Sequence, residues 1–330
     1  LCIAGLIGSP SPCGGLFLRG GNMAIFVCFL AARNVKAQWD VRKVGISGPG
    51  ARQLRVYASS ETHTWINKAV DLFGLGADSI RWIPTDKRQR VNTTALQRQL
   101  REDQAAGDLP FLVVASAGSV STGAIDPLSE LAAICQEWGV WFHVDGAYGG
   151  FAASVPELSV EFDGLGKADS VAVDPHKWLY APLEAGCALV RDADALRRAF
   201  SYHPPYYHFA EEVVNYFDLG PQNSRGFRAL KVWLALRQVG RTGYQQMIGE
   251  DIRLARDLLR YLANYPDLEA MTQGLSITTF RYVPLDLKPD LDSASVSTYL
   301  NTLNQELLTR LEKSGEAFLS NALIEGKFAL

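Results

Sequence analysis

"SVAVDPHKWLYAP", residues 170–182, is the stretch on which the fold turns. Residues 170–174 form a short, nearly continuous apolar run bounded by proline. Such a run has the look of a strand buried on both faces, as in a parallel sheet flanked by helices. Asp174, Pro175, His176 and Lys177 then stand at its end. Surface lysines usually sit among polar residues, whereas Lys177 lies between His176 and Trp178. Two readings stay open at this point: an aliphatic stem packed along an apolar patch, or an amine wanted as a nucleophile.

Working outward, the same rhythm recurs. "LRVYAS" (54–59), "IRWIP" (80–84), "PFLVVAS" (110–116), "VWFHVD" (140–145) and "CALVR" (187–191) read as further strands. Between them, 61–74, 93–107 and 126–139 carry helical periodicity, each closing at a glycine. The alternation predicts an α/β fold with a mostly parallel central sheet. After residue 192 the pattern changes. "SYHPPYYHF" (201–209) reads as an ordered but mobile loop, and "RALKVWLALRQVG" (228–240) opens a helical stretch predicted to continue to about residue 264. Residues 275–284, 295–315 and a final strand at "GKFAL" resemble the start of a smaller α+β unit. The expected division is therefore a large domain, 1–265, with its loop and connecting helix, and a partial small domain, 266–330.

The 330 residues are 48% hydrophobic and 20% charged, with a net charge of -3 and no basic stripe. That balance excludes the electrostatic footprint of a nucleic-acid binder. Cys2, Cys13, Cys28, Cys135 and Cys187 are scattered and odd in number, which fits neither a disulfide framework nor a zinc knuckle. No metal is expected. "MAIFVCFLAA" is too short to span a bilayer and lacks the flanks of a signal peptide, so no membrane partner and a cytoplasmic location are expected. The chain opens on Leu1 and stops within a strand, and truncation at both ends is expected.

In open parallel sheets ligands bind at the carboxyl ends of the strands. Residues 116–119 ("SAGS"), Asp145 in "HVDGAYGG" and Lys177 stand at such ends. An acid at one strand end and a lysine at the next suit pyridoxal 5'-phosphate (PLP). Its aldehyde needs a lysine for a Schiff base, and its ring nitrogen needs a carboxylate to keep it protonated. Its phosphate needs a glycine turn at a helix N-terminus, and Gly20-Gly21-Asn22 opens an apolar helix. Taken singly, these residues have bland readings: Asp145 as a cap, His63 as a satisfied helix histidine, Gly149-Gly150 as a tight turn.

"HVDGAYGG" followed some thirty residues later by "ADSVAVDPHKWLYAP" resembles the PLP-dependent amino acid decarboxylases, in the branch with the aromatic-L-amino-acid, histidine and glutamate enzymes. The resemblance runs from about Gly14 to the end. It implies a PLP-dependent transferase-like (fold type I) large domain and a homodimer acting on an amino acid. It also implies Lys177 as the Schiff-base lysine, Asp145 at the pyridine nitrogen and Ala147 packed under the ring. His63 would stack on the ring's other face and help position the substrate carboxylate. Gly21, Asn22 and His176 would lie near the phosphate, with Ser119 close to cofactor or substrate. Tyr206, with Tyr207 as the register alternative, would be the mobile-loop tyrosine that closes over the neighbouring subunit's site and protonates Cα.

Ser224 falls where serine goes with phenolic substrates in plant relatives, so an aromatic amino acid is the expected substrate. An aldehyde synthase, a transaminase and a non-catalytic truncated homologue are the alternatives. Several residues depart from the family pattern. Arg19 stands in the glycine turn, where it either pairs with phosphate or crowds the turn. Ile25 replaces a polar residue, Gly226 interrupts an Arg-Arg-Phe run, and Asp174 replaces an asparagine. A carboxylate there would repel phosphate, so Asp174 is expected to turn away.

Overall fold

The structure, a computed structural model, describes residues 2–9, 13–203 and 214–330. Seven strands form one sheet: β1 (Gly14–Leu18), β2 (Leu54–Ser59), β3 (Ile80–Ile83), β4 (Leu109–Ser116), β5 (Trp141–Asp145), β6 (Ser170–Val173) and β7 (Gly186–Val190). Their order is β1-β7-β6-β5-β4-β2-β3. Within it β7 runs antiparallel to both neighbours and the other strands run one way. The fold is α/β with a mostly parallel sheet, as the strand pattern predicts.

Both faces are covered. Along β4, Val113 and Ala115 join one apolar core while Leu112 and Val114 join the other, which is the period-two alternation of a strand buried on both sides. One core layer draws on α2 (Gly20–Lys36), α4 (Trp65–Leu72) and α7 (Ala193–Phe200). The opposite layer draws on α1 (Cys2–Ile7), α5 (Thr93–Ala105), α6 (Leu128–Trp138) and α8 (Arg228–Leu262). The short α3 (Val41–Val44) is capped by the Asp40 side chain.

Three local features depart from the sequence expectation. Helix α4 begins at Trp65 rather than near residue 61, because His63 closes a turn ahead of it. Its Nδ1 accepts from the Trp65 N–H at 3.2 Å and its carbonyl from the Ile66 N–H. His63 thus precedes the helix and is exposed. Helix α8 is broken at Gly240, where φ 72 and ψ 172 interrupt the run read as continuous. Strand β1 was not anticipated. It is a five-residue edge strand whose partner, β7, comes some 170 residues later in the chain.

The C-terminal residues add no strand to the large sheet. They form a hairpin of β8 (Leu268–Gly274) and β9 (Ile277–Tyr282), then α9 (Ala294–Ser314), then a hairpin of β10 (Ala322–Ile324) and β11 (Lys327–Ala329). The two hairpins are joined where Phe280 and Leu330 exchange both backbone hydrogen bonds. No helix among the described residues is long and apolar enough to cross a membrane, and no cluster of metal-ligating side chains occurs among them.

Candidate active site

Adjacent parallel strands β4, β5 and β6 end side by side, with Ser116 opposite Asp145 and Asp145 opposite Ala172. Because β7 runs the other way, its first residue, Gly186, lies at this same edge and pairs with Leu18, the last residue of β1. The chain therefore enters α2 at the edge where β4 to β6 finish. A small cleft of about 150 Å³ opens there. Gly21, Asn22, His63, Ser119, Asp145, Ala147 and Lys177 all line it. Residues drawn from 157 positions of sequence are thereby brought together by topology.

Asp145 is held from two sides. Its Oδ2 accepts from Trp65 Nε1 at 2.8 Å, and its Oδ1 from the Ala147 N–H at 3.1 Å. Trp65 is fully buried, and a buried indole N–H needs an acceptor. At His63, the hydrogen bond into Nδ1 assigns the proton of the neutral ring to Nε2. Ser119 is buried, and its Oγ lies 2.8 Å from Thr122 Oγ1 and receives the Ala124 N–H at 3.3 Å. That hydroxyl shapes the turn after β4.

At the other end, Arg19 heads α2 without a side-chain cap, and Gly20 takes φ 77. The first amides of α2 are thus left to an anion. Arg19 itself is exposed, and Ile25 is buried against the cleft. Lys177 Nζ lies 3.6 Å from Asp174 Oδ2, with the lysine side chain 40% exposed.

Asp174 does not turn away. It lines the cleft and faces α2 so closely that a Cβ on Gly21 would fall 2.6 Å from its Oδ2. The physical reason is charge: the positive end of α2 and the Lys177 ammonium both attract it. Burial pushes its pKa up to about 6 even so, with Lys177 and His176 pulling the other way.

His176 is not among the lining residues. Its Nδ1 lies 2.7 Å from the Ala185 carbonyl oxygen and its Nε2 lies 3.7 Å from Asp174 Oδ2, while its Cε1 would stand 3.9 Å from a Cβ on Gly20 at the head of α2. Ser224 and Gly226 are exposed and also lie outside the lining. Tyr206 and Tyr207 lie outside the described residues.

Four lining residues were not singled out from sequence: Trp65, Glu61, Val120 and Tyr148. Trp65 had a signal, an indole on the first turn of an amphipathic helix. Glu61 is half-buried, and burial raises its carboxyl above the usual range against a hydrogen bond from Ser121. Tyr148 pairs its hydroxyl with Ser276 of the C-terminal part and packs on Trp178 with ring centroids 4.6 Å apart. Trp178 in turn donates to Asp251 at 3.0 Å. Of the rings that box Lys177 in sequence, Trp178 anchors the core while the lysine amine faces the cleft.

Tested against PLP, these residues fit: an uncapped glycine-led helix for the phosphate, a carboxylate with fixed geometry at the end of β5, a small Ala147 and a reachable amine. Comparison with known proteins agrees. Residues 3–283 match the pyridoxal-dependent decarboxylase conserved domain. The chain is 35% identical to an aromatic-L-amino-acid decarboxylase of Bacillus atrophaeus, over 98% of this chain and 65% of that protein. It is 32% identical to a phenylacetaldehyde synthase of Petunia hybrida, over 96% of this chain and 63% of that protein. In structure it is similar to Oryza sativa TDC with PLP and tryptamine, with a TM-score of 0.89 and 28% identity over 99% of this chain and 68% of that one. The chain thus spans less than two thirds of the length of these two sequence relatives. With the fold, the cleft and the match over residues 3–283 in agreement, the chain belongs to the pyridoxal-dependent decarboxylase family.

Proposed function

We propose that this site serves PLP-dependent decarboxylation of an L-amino acid with an aromatic side chain, giving the amine and CO2. The observation that carries the proposal is the placing of Asp145 and Lys177 in one cleft, opposite the uncapped N-terminus of α2. Bound PLP supplies an electron sink for the pair released from the Cα–carboxylate bond. The α2 amides at Gly21 and Asn22 hold the phosphate. Asp145, fixed by Trp65 and Ala147, holds a proton at the pyridine nitrogen. Lys177 would hold the cofactor through its side-chain nitrogen, within reach of the substrate amine. His63 orients the substrate carboxylate, and Ala147 leaves room beneath the ring. Tyr206, or Tyr207 in the alternative register, returns a proton to Cα.

The aromatic preference is supported by the Bacillus relative. The petunia relative supports a second reading, aldehyde formation on the same site. Stoichiometric CO2 without peroxide or ammonia separates the two. A homodimer is part of the proposal, supported by the exposed apolar side chains Phe227, Trp233, Leu234 and Leu258 on and before α8. So are a cytoplasmic location and a domain boundary near residue 265.

The deciding experiment is an absorbance spectrum with PLP for the wild type and Lys177→Ala. A protein-bound band that borohydride traps in the wild type and that is lost in the variant is expected. Identical spectra would sink the assignment of Lys177.

A further inference from the structure

The tip of the C-terminal hairpin reaches the back of the cleft. Strands β8 and β9 are joined there by Leu275 and Ser276 alone, since Gly274 pairs with Ile277. Leu275 takes φ 47, in the left-handed region, which a leucine occupies only where its surroundings over-determine it. It is 5% exposed and belongs to a core layer of the large sheet.

Two turns make its seat. One follows β4, spans residues 117–125, is closed by the pairing of Ala117 with Ile125 and carries Ser119. The other follows β5 and carries Ala147 and Tyr148. They meet at two glycines. A Cβ on Gly118 would lie 3.0 Å from Gly149 Cα and 2.9 Å from Leu275 Cδ1. A Cβ on Gly149 would lie 2.5 Å from the same Leu275 atom. The leucine side chain thus fills the angle between the turns and leaves no slack on either side. Beside it the hairpin backbone lies directly on the first turn, where a Cβ on Gly274 would fall 2.6 Å from the Thr122 carbonyl oxygen. Gln273 Nε2 donates to the Leu275 carbonyl at 2.9 Å and fixes the shape of the tip.

Ser276 takes hold of a residue that lines the cleft. Its N–H donates to the Tyr148 hydroxyl oxygen at 3.1 Å, and its Oγ pairs with the same hydroxyl. The Tyr148 ring in turn rests on Trp178, the neighbour of Lys177. Site residues on turns are precise only where packing and hydrogen bonds lock them.

Resting on the site assigned above, we propose that Leu275 and Ser276 are positioning residues. The hairpin tip is a wedge that sets the spacing of the two turns, and so the placing of Ser119, Ala147 and Tyr148 against Lys177. The wedge accounts for a leucine in a left-handed backbone and for the missing side chains at Gly118 and Gly149. It makes the C-terminal hairpin part of the site although neither tip residue lines the cleft.

The test compares wild type with Ser276→Ala, Ser276→Thr and Leu275→Ala, first without cofactor. Amide hydrogen exchange reads local opening. Ser276→Ala should speed exchange in residues 117–125 and 146–150 by roughly fivefold, the worth of one hydrogen bond. Leu275→Ala should speed it further, while α5 and the β10–β11 hairpin exchange as in wild type. Ser276→Thr keeps the hydroxyl and should match wild type. With PLP bound, Ser276→Ala should lower kcat for decarboxylation roughly tenfold at nearly unchanged KM, and threonine should restore it. Should Leu275→Ala lose the fold, Ser276→Ala and its threonine control decide alone. Faster exchange confined to β8 and β9, or spread evenly over the chain, assigns the tip to the fold only and overturns the inference. So does a kcat for Ser276→Ala equal to that of wild type. Failure of the wild type to bind PLP sinks the cofactor reading and leaves the exchange comparison to decide the wedge.

Discussion

The two ends of the cleft each present a buried or half-buried aspartate at the edge of the sheet, and they are built in opposite ways. At the ring end, Asp145 has each oxygen engaged by a donor that the fold fixes, Trp65 Nε1 and the Ala147 N–H. At the phosphate end, Asp174 has one oxygen with no partner and the other at ion-pair distance from Lys177 and His176. The first arrangement holds a negative charge at a set position. The second holds one only while its surroundings stay positive. Two aspartates near neighbouring strand ends are therefore held in opposite ways, one by fixed donors and the other by the charges around it, and donor count makes the difference.

The largest effect should come from removing the charge held by fixed donors. Asp145→Asn keeps the shape but not the charge, and a protonated ring nitrogen loses its partner. The expected result is a fall in kcat of about 10²–10³-fold, in line with the loss of one preorganised electrostatic group, with the cofactor's absorbance band still formed. CO2 release at matched PLP loading measures it. A rate within a few-fold of wild type would remove the distinction between the two ends.

Next comes the phosphate-end carboxyl, read through stability without cofactor. Asp174 has its pKa raised from 3.8 to about 6 by burial. The native state therefore binds this proton more tightly than the unfolded chain does. Stability contributed by the group is present below the unfolded pKa and is lost as pH rises from about 4 through about 6. Asp174→Asn escapes that loss. In urea unfolding of the cofactor-free protein it should be more stable than wild type by about 2–3 kcal/mol near pH 8. The advantage should vanish near pH 4. A variant less stable at both pH values would mean that the α2 N-terminus and Lys177 outweigh the burial.

Much of this contrast was legible in the sequence. Strands β2 to β7 could be placed because continuous Val, Ile, Leu and aromatic runs have no other home than a doubly covered sheet. Asp145 and Lys177 followed from standing at strand ends. β1 was not legible, because "GGLFL" gains its meaning only from pairing with β7 across the chain. Nor was the break at Gly240, since a glycine inside a long periodic run is as often tolerated as used. The orientation of Asp174 was misjudged for a physical reason. Repulsion from a phosphate was weighed, whereas attraction to Lys177 and to α2 was not. Trp65 was missed because the need of a buried indole for an acceptor becomes visible only once its partner strand is known.

Trp65 sharpens the comparison at its smallest scale. Its indole N–H donates to Asp145 Oδ2 at 2.8 Å from a fully buried position. Trp65→Phe removes the donor and keeps most of the apolar volume. A hydrogen bond to a charged group is worth about 1.5–3 kcal/mol. Some of this is recovered as Asp145 relaxes, so a fall in kcat of roughly tenfold is expected, with a smaller change in PLP affinity. If Trp65 acts through Asp145, the two changes should not add. On an Asp145→Asn background, Trp65→Phe should cost far less than alone, which a double-mutant cycle measures as a coupling free energy. Fully additive losses would show that Trp65 matters for packing α4 against the sheet and not for the counterion. The ring end would then owe its fixed charge to the Ala147 amide, and the difference from Asp174 would rest on a single donor.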